Sequence, residues 1–136
     1  MKGTRRNPKR ALPSSPAQAR KRVEVLLHDR PSPLPGPCGE TSLSDALLVT
    51  SELVTNAFRH GGGVTDFAAE VTDSEVRVSV GDRSDRLPEL PNRTEGHDRV
   101  RIGGFGWRLI LTLARNVAIT RRDHGGKLIT ALVPLG

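Results

Sequence analysis

The apolar residues of the chain repeat with two different periods, which divide it into helical and extended parts. Near the N-terminus, Val23, Leu26 and Leu27 recur at spacings of three and four and predict a helix over about residues 16–29. A serine and a proline at positions 15–16 suit its start, because serine caps the first turn and proline fits the first helical position.

A second helix is predicted from about Ser42 to the glycine run at residues 61–63, since glycine after a helix ends it. Its apolar stripe has helical spacing and consists of Leu43, Ala46, Leu47, Val54 and Ala57. From Val64 the period becomes two, which indicates strands with one buried face. Two apolar rows flank a turn at residues 72–74 and predict an antiparallel hairpin: Phe67, Ala69 and Val71, then Val76, Val78 and Val80.

The C-terminal part begins with a polar, proline-containing stretch at residues 83–102 that has no clear period. A structureless stretch of this length in a small domain is either functional or disordered. A third helix is predicted over about 104–116, followed by strands at Val117–Thr120 and Lys127–Val133. The order αα-ββ-α-ββ keeps helices and strands in separate groups, which predicts an α+β fold built as a two-layer α/β sandwich.

Composition indicates one domain and excludes several kinds of site. At 136 residues the sequence has the length of a single domain. Cys38 is the only cysteine, so neither an intrachain disulfide nor a cysteine-based zinc site can form. No stretch approaches the roughly 20 apolar residues of a membrane span, and the basic N-terminus lacks the apolar region of a signal peptide. We therefore expect a cytoplasmic protein with no membrane contact.

The formal net charge of +6 is placed unevenly, since residues 1–23 carry eight lysines and arginines and no acid. Such a segment can contact nucleic acid or an acidic partner, or it can be a solvated tail that leads into the exposed face of the first helix. No aromatic residue is interleaved for stacking on bases, which favours the solvated tail.

Four segments carry residues suited to chemistry, and the first is the run from Ser51 to His60. Glu52 and Asn56 lie four apart on one helix face that points away from the apolar stripe, so we expect neither to be buried. Carboxylate and amide oxygens can hold magnesium, and a carboxylate can accept a proton from an attacking hydroxyl. Taken alone, the pair is better explained as part of a solvated helix face.

The second segment is the end of the second strand, where Asp82 continues the inward apolar row. Its carboxylate should project from the apolar side of the sheet and therefore needs a hydrogen-bond donor. A nucleobase amine would serve as that donor. Alternatively, Asp82 caps the next turn through the backbone of that turn.

The third and fourth segments lie near the C-terminus. Gly103, Gly104 and Gly106 surround the start of the third helix, where backbone N–H groups can approach an anion. The run matches neither a Rossmann fingerprint nor a Walker loop, and a plain glycine-rich connection explains it when it is taken alone. Thr130 alternates with Leu128 and Leu132 on the last strand, where its hydroxyl is expected to bond nearby backbone.

Together and in this order, the four segments resemble the nucleotide-binding pattern of the Bergerat (GHKL) ATPase and kinase superfamily. Glu52-x-x-x-Asn56 resembles the N box, Asp82 the G1 box, Gly104-x-Gly106 the G2 box, and Thr130 the threonine of the closing strand. The runs 51–57 and 104–109 are typical of the small stand-alone members, the anti-sigma-factor serine kinases.

The resemblance covers about residues 9–136 and implies a single ATP-binding domain in that range. It implies a mixed, mainly antiparallel sheet with helices on one face and a lid loop over about residues 83–103. Residues 1–8 then form a basic flexible tail. One departure concerns the glycine expected two residues after Asp82, which is Ser84 here; serine should still allow adenine to bind.

The resemblance also implies a role for each matching residue. Glu52 is the implied general base, and Asn56 the implied ligand of a magnesium ion (Mg2+) that bridges the phosphates of ATP. Asp82 would accept a hydrogen bond from the adenine amine, with Thr130 close by. The remaining residues implied to bind ATP are His60 on the phosphate side and, at the start of the third helix, Gly104, Phe105, Gly106 and Trp107.

The implied function is that of a protein-serine kinase. It would use ATP to phosphorylate a serine on an anti-anti-sigma (STAS-type) antagonist, and it would bind a sigma factor as an anti-sigma factor, as a homodimer. Alternatively, the chain binds ATP without catalysis, and the nucleotide sets the shape of a surface that binds a protein partner. A third hypothesis, a nucleic-acid contact through the basic N-terminus, leaves the four segments unexplained.

Deletion of residues 1–8 should leave the affinity for ATP unchanged, because these residues precede the region that resembles the ATP-binding domain. Isothermal titration calorimetry of the full and shortened chains, with magnesium present, measures this. A clear loss of ATP affinity in the shortened chain would assign the basic tail to the nucleotide site.

Overall fold

The structure is a computed structural model that describes residues 11–29, 39–72, 74–88 and 104–135. Within these ranges, three helices and four strands follow one another as α1 (Pro16–His28), α2 (Gly39–His60), β1 (Val64–Val71), β2 (Glu75–Asp82), α3 (Gly104–Leu113), β3 (Asn116–Arg121) and β4 (Lys127–Pro134). This order confirms the predicted α+β fold. None of the described helices combines the length and the apolar composition that crossing a bilayer requires.

The start of α1 follows from its capping residue, whereas two bounds of the other helices differ from the prediction. Ser15 caps α1, because its hydroxyl accepts a hydrogen bond from the backbone nitrogen of Gln18 at 3.1 Å. Helix α2 begins at Gly39, three residues before the predicted start. Helix α3 ends at Leu113, short of the predicted 116, because Asn116 already pairs with Leu132 in the sheet.

The four strands form one sheet in the order β1-β2-β4-β3. All three pairings among the described strands are antiparallel, so this sheet is antiparallel and not mixed. The predicted hairpin is confirmed, with Val71 opposite Val76 next to its turn. The pairing of β2 with β4 sets Ser79 opposite Thr130 and Asp82 opposite Lys127.

The core lies between the helices and one face of the sheet. Helix α2 packs against β1, β2 and β4 and also contacts both other helices. The predicted inward row of β2 is confirmed, since Val76, Val78 and Val80 are at most 2% exposed. Strand β4 adds Ile129, Ala131 and Val133 to the same face. Because side chains alternate along a strand, Leu128, Thr130 and Leu132 belong to the opposite face.

Strand β4 can begin beside Asp82 only because residue 126 is glycine. Gly126 has a φ of +87°, and a Cβ built on it would lie 2.3 Å from the backbone oxygen of Asp82. Gly125 also has a positive φ, +102°, but a Cβ there would meet nothing within 4 Å. Both glycines therefore have a left-handed backbone conformation, but only Gly126 also approaches the backbone of Asp82 too closely for a side chain.

Gly126→Ala should destabilise the fold clearly more than Gly125→Ala. Both substitutions carry the left-handed backbone cost of about 1–2 kcal/mol, and the first must also push β4 away from Asp82. Urea unfolding followed by circular dichroism measures the two free energies of unfolding. Equal losses in the two variants would contradict the close approach.

Candidate functional site

One face of α2 carries a row of three polar residues, Glu52, Asn56 and His60. They lie four residues apart, so they follow one another along about 12 Å of the helix axis. Glu52 is half-buried and His60 is exposed at the last turn. The row therefore runs from the middle of α2 to its C-terminal end.

The first turn of α3 lies against the N-terminal part of this row. A Cβ built on Gly106 would lie 2.5 Å from Oε1 of Glu52 and 3.8 Å from Oδ1 of Asn56. A larger residue would force the carboxylate aside, so glycine at this position permits the contact. The structure thus brings Glu52, Asn56 and Gly106 together, while their chemical roles stay predictions.

Asn56 is buried, which differs from the prediction for this helix face. Only 9% of it is exposed, because α3 packs across α2 at this place. Its Nδ2 has no hydrogen-bond partner among the described residues. A buried donor left unpaired costs about 1–3 kcal/mol, and a ligand that supplies an acceptor removes that cost. The orphaned amide therefore fits a site for an anionic or oxygen-rich ligand.

Glu52 contributes the carboxylate of this cluster. Within the described ranges, no hydrogen bond or ion pair engages it. The same ranges contain no group of three or more histidine, cysteine, aspartate or glutamate residues that could hold a metal ion. A magnesium ion would consequently need Asn56 together with oxygens of the nucleotide and water, as magnesium sites with few protein ligands do.

Asp82 lies at the other end of the row, where β2 meets the end of α2. A Cβ built on Gly61 would lie 2.5 Å from Oδ2 of Asp82. Directly beside this contact, the backbone nitrogen of Arg83 donates to the carbonyl oxygen of Gly61 at 2.8 Å. Asp82 itself is 5% exposed and belongs to the inward face of the sheet, as predicted.

The donors that Asp82 needs are supplied within the chain. The backbone nitrogen of Ser84 donates to Oδ1 at 2.9 Å, so the turn-capping alternative is realised. Lys127 Nζ lies 3.1 Å from Oδ1 and 3.0 Å from Oδ2, in an ion pair whose side chains are 7% and 5% exposed. The end of the predicted site that would hold the nucleobase therefore contains a carboxylate and an ammonium group.

The segment after β2 is held to the same corner. Asp85 accepts a hydrogen bond from the backbone nitrogen of Gly126 at 2.8 Å, and Ser84 accepts one from Arg86 at 3.1 Å. These contacts involve the first residues of the predicted lid. The rest of that lid, residues 89–103, and the predicted basic tail at 1–8 lie outside the described residues.

Thr130 does not lie near Asp82, and this prediction is wrong. Its hydroxyl is 2.9 Å from that of Ser79, which is its cross-strand partner. Ser79 and Thr130 share one face of the sheet, whereas Asp82 and Lys127 share the other, because residues directly opposite in an antiparallel pair point the same way. The residue of β4 that faces Asp82 is therefore Lys127.

Sequence reasoning missed Lys127, although two signals pointed to it. It is the first residue after the glycine turn, and pairing of β4 with β2 would place the two strand ends side by side. The side chain of Lys127 then points to the inner face of the sheet, because Lys127 alternates in steps of two with the buried Ile129, Ala131 and Val133. The sequence does not give the register between β2 and β4, because it does not say which strand pairs with β4.

The other predicted ATP-binding residues lie in or next to α3. Gly104 and Phe105 open that helix, and the side chain of Phe105 lies outside the described part of the chain. Trp107 is 6% exposed and belongs to the hydrophobic core. Its indole therefore packs α3 onto the rest of the protein.

Comparison with known proteins identifies the family. The histidine kinase-like ATPase domain, as a family model, matches residues 10–132. Among solved structures, the chain is similar to the histidine kinase domain of a blue-light activated histidine kinase from Erythrobacter litoralis. The identity is 25% and the TM-score 0.48, over 69% of this chain and 45% of that one, so the chain spans less than half of that domain. No curated protein matches it. The chain belongs to the histidine kinase-like ATPase domain family of GHKL type, and membership of this ATPase family implies that it binds ATP.

Proposed function

We propose that this chain is an ATP-dependent protein-serine kinase that regulates transcription through protein partners. The observation that carries the proposal is the cluster of Glu52, Asn56 and Gly106. In it, a carboxylate with no hydrogen bond or ion pair to the described residues stands beside an amide nitrogen that also lacks a partner among them. Phosphoryl transfer requires positioning, charge neutralisation and a proton acceptor, and little covalent chemistry from the protein. Glu52 offers the proton acceptor and Asn56 a positioning group, while charge neutralisation would fall to a magnesium ion that Asn56 would help to hold.

Glu52 would act as the general base. It accepts the proton of the attacking serine hydroxyl, whose oxygen then bonds to the terminal phosphorus as the bond to ADP breaks. Asn56 would hold the phosphate end, with its oxygen toward the metal and its unpaired nitrogen toward a phosphate oxygen. Magnesium, when bound, would neutralise the charge that the phosphates share. The backbone at Gly106 leaves the room that these groups need.

Asp82 would select the nucleobase at the other end of the row. Its carboxylate would accept a hydrogen bond from the adenine amine. The base would thus lie near Gly61 and the phosphates near the first turn of α3. His60 directly precedes Gly61, so this arrangement puts it toward the nucleobase and not on the phosphate side that the resemblance implies.

The partners follow from the resemblance of the runs 51–57 and 104–109 to the anti-sigma-factor serine kinases. The substrate would be a serine on an anti-anti-sigma protein of the STAS type, and the unopposed kinase would bind a sigma factor. A homodimer in the cytoplasm belongs to the same proposal. Two basic residues of α1 make contacts within the fold, since Arg20 donates to Ser51 and Arg22 lies 5.9 Å from the ring centre of Phe67.

A second candidate function is a non-catalytic module in which ATP only sets the shape of a partner-binding surface. The ion pair between Asp82 and Lys127 favours it, because a neutralised carboxylate holds adenine less firmly than a free one. A weakly held nucleotide suits a sensor of ATP concentration. Transfer of phosphate to a protein partner separates the two functions.

Asn56→Leu should abolish the binding of magnesium-ATP without lowering the stability of the fold. Leucine has a similar size and removes a buried amide that lacks a partner, so the free energy of unfolding should stay equal or rise. Calorimetric titration and urea unfolding measure the two effects. Asn116→Leu, at an exposed asparagine, is the matched control and should bind ATP normally. Undiminished ATP binding by Asn56→Leu would remove this residue from the site.

Glu52→Gln should lower phosphoryl transfer by about 10²–10⁴-fold and leave ATP binding nearly unchanged, since the amide fills the same space but accepts no proton. The measurement is transfer from radiolabelled ATP to anti-anti-sigma proteins. The exposed Glu24, changed to Gln, is the control. Full transfer by Glu52→Gln would exclude it as the base. Absence of transfer by the unaltered chain to every partner, with ATP bound, would leave the non-catalytic module.

A further inference from the structure

The buried ion pair of Asp82 and Lys127, at the end of the site that would hold the nucleobase, bears on which nucleotides bind. We propose that Lys127 determines nucleobase selectivity, and that the pair with Asp82 admits 6-oxopurine nucleotides as well as those of adenine. This inference rests on the proposed nucleotide site, because it assigns Asp82 to the base. It concerns position 6 of the purine, where adenine carries a donor amine and hypoxanthine or guanine an acceptor oxygen.

The acceptor capacity of Asp82 is nearly used within the chain. A carboxylate offers about four acceptor positions. Ser84 and Lys127 both donate to Oδ1, and Lys127 also contacts Oδ2 at 3.0 Å. One position on Oδ2 is left, which is sufficient for a single hydrogen bond from an adenine amine.

The donor capacity of Lys127 is also occupied, but one of its contacts is weak. An ammonium group has three N–H donors. Two face the oxygens of Asp82, and the third faces the carbonyl oxygen of Ser84 at 3.4 Å, which is the longest of the three distances. An acceptor at position 6 of a purine can replace Ser84 as the third partner without disturbing the ion pair.

The charge balance of the pair points the same way. A carboxylate that faces the base alone rejects a 6-oxo group, because two acceptors then meet and neither finds a donor. With Nζ of Lys127 within 3.1 Å of both oxygens, the negative charge of Asp82 is compensated locally. The pair presents an acceptor and a donor at one place, so discrimination between the two base types is lost.

The backbone fixes Lys127 in this position. Its cross-strand partner is Asp82, and the preceding Gly126 approaches the backbone of Asp82 too closely for any side chain. The backbone nitrogen of Gly126 is also bound to Asp85. The ammonium group is therefore held beside the carboxylate of Asp82, in contrast to the ammonium group of an exposed lysine, which can move into solvent.

The test compares ATP with inosine triphosphate, which carries the 6-oxo group and keeps the same sugar and phosphates. Calorimetry with magnesium gives both dissociation constants for the unaltered chain and for Lys127→Met. The unaltered chain should bind the two nucleotides within about tenfold of each other. For Lys127→Met, the dissociation constant of inosine triphosphate divided by that of ATP should be at least about tenfold larger than for the unaltered chain. A factor of this size is what a hydrogen bond to a charged group contributes. Lys21→Met, at an exposed lysine of α1, should behave like the unaltered chain.

Two results would overturn the role of Lys127 while ATP binding stands. One is a preference for ATP above about tenfold in the unaltered chain, and the other is an unchanged ratio in folded Lys127→Met. If circular dichroism shows that this variant does not fold, the ratio of the unaltered chain decides alone. Absence of binding by either nucleotide to the unaltered chain would instead defeat the proposed nucleotide site and this inference with it.

Discussion

The site depends on the close approach of Gly61 to Asp82, which joins the end of α2 to the end of β2. The carboxylate lies where any side chain on residue 61 would have to be, and the backbone of Arg83 is bound to the same glycine. Without this approach, the polar row on α2 and the carboxylate on the sheet would belong to separate surfaces. The contact thus fixes the distance between the part of the site with Glu52 and the part with Asp82. A rigid scaffold of this kind is what precise positioning of reacting groups requires.

Two polar features of the site oppose stability, and a ligand would satisfy the one that the described residues leave unpaired. The buried amide nitrogen of Asn56 lacks a partner among the described residues, and the buried pair of Asp82 and Lys127 removes two charges from water. Apolar residues of the same size would usually stabilise a core as well or better. Elsewhere the core is built from aliphatic side chains such as Val78 and Ile110, both fully buried. The buried charges among the described residues, Asp82 and Lys127, lie at one end of the proposed site, and the unpaired amide of Asn56 lies toward the other.

Most of the fold and half of the site follow from the sequence, and the reasons differ. The strands show a strict period of two, so the alternation alone assigns Val76, Val78, Val80 and Asp82 to the inner face. The end of α3 does not follow in this way, because sheet pairing at Asn116 overrides a continuing helical pattern. The face of Thr130 was missed for a related reason, since the inward phase of β4 depends on its register with β2. Burial of Asn56 arises from α3 packing across α2, which a single-helix pattern does not contain.

The separation of the two ends of the site bears on how the chain can combine selectivity with catalysis. Glu52 stands two helical turns before His60, about 12 Å along α2, while Asp82 adjoins the glycine that follows His60. Effects of residues more than about 7–10 Å apart that share no partners are usually additive. The proposed choice of base at Lys127 and the proposed acceptance of a proton at Glu52 would then be independent properties of one scaffold. On the proposed roles, the ion pair would weaken only the hold on the base and leave the phosphate end intact, so a chain with relaxed base selection would still be able to act as a kinase.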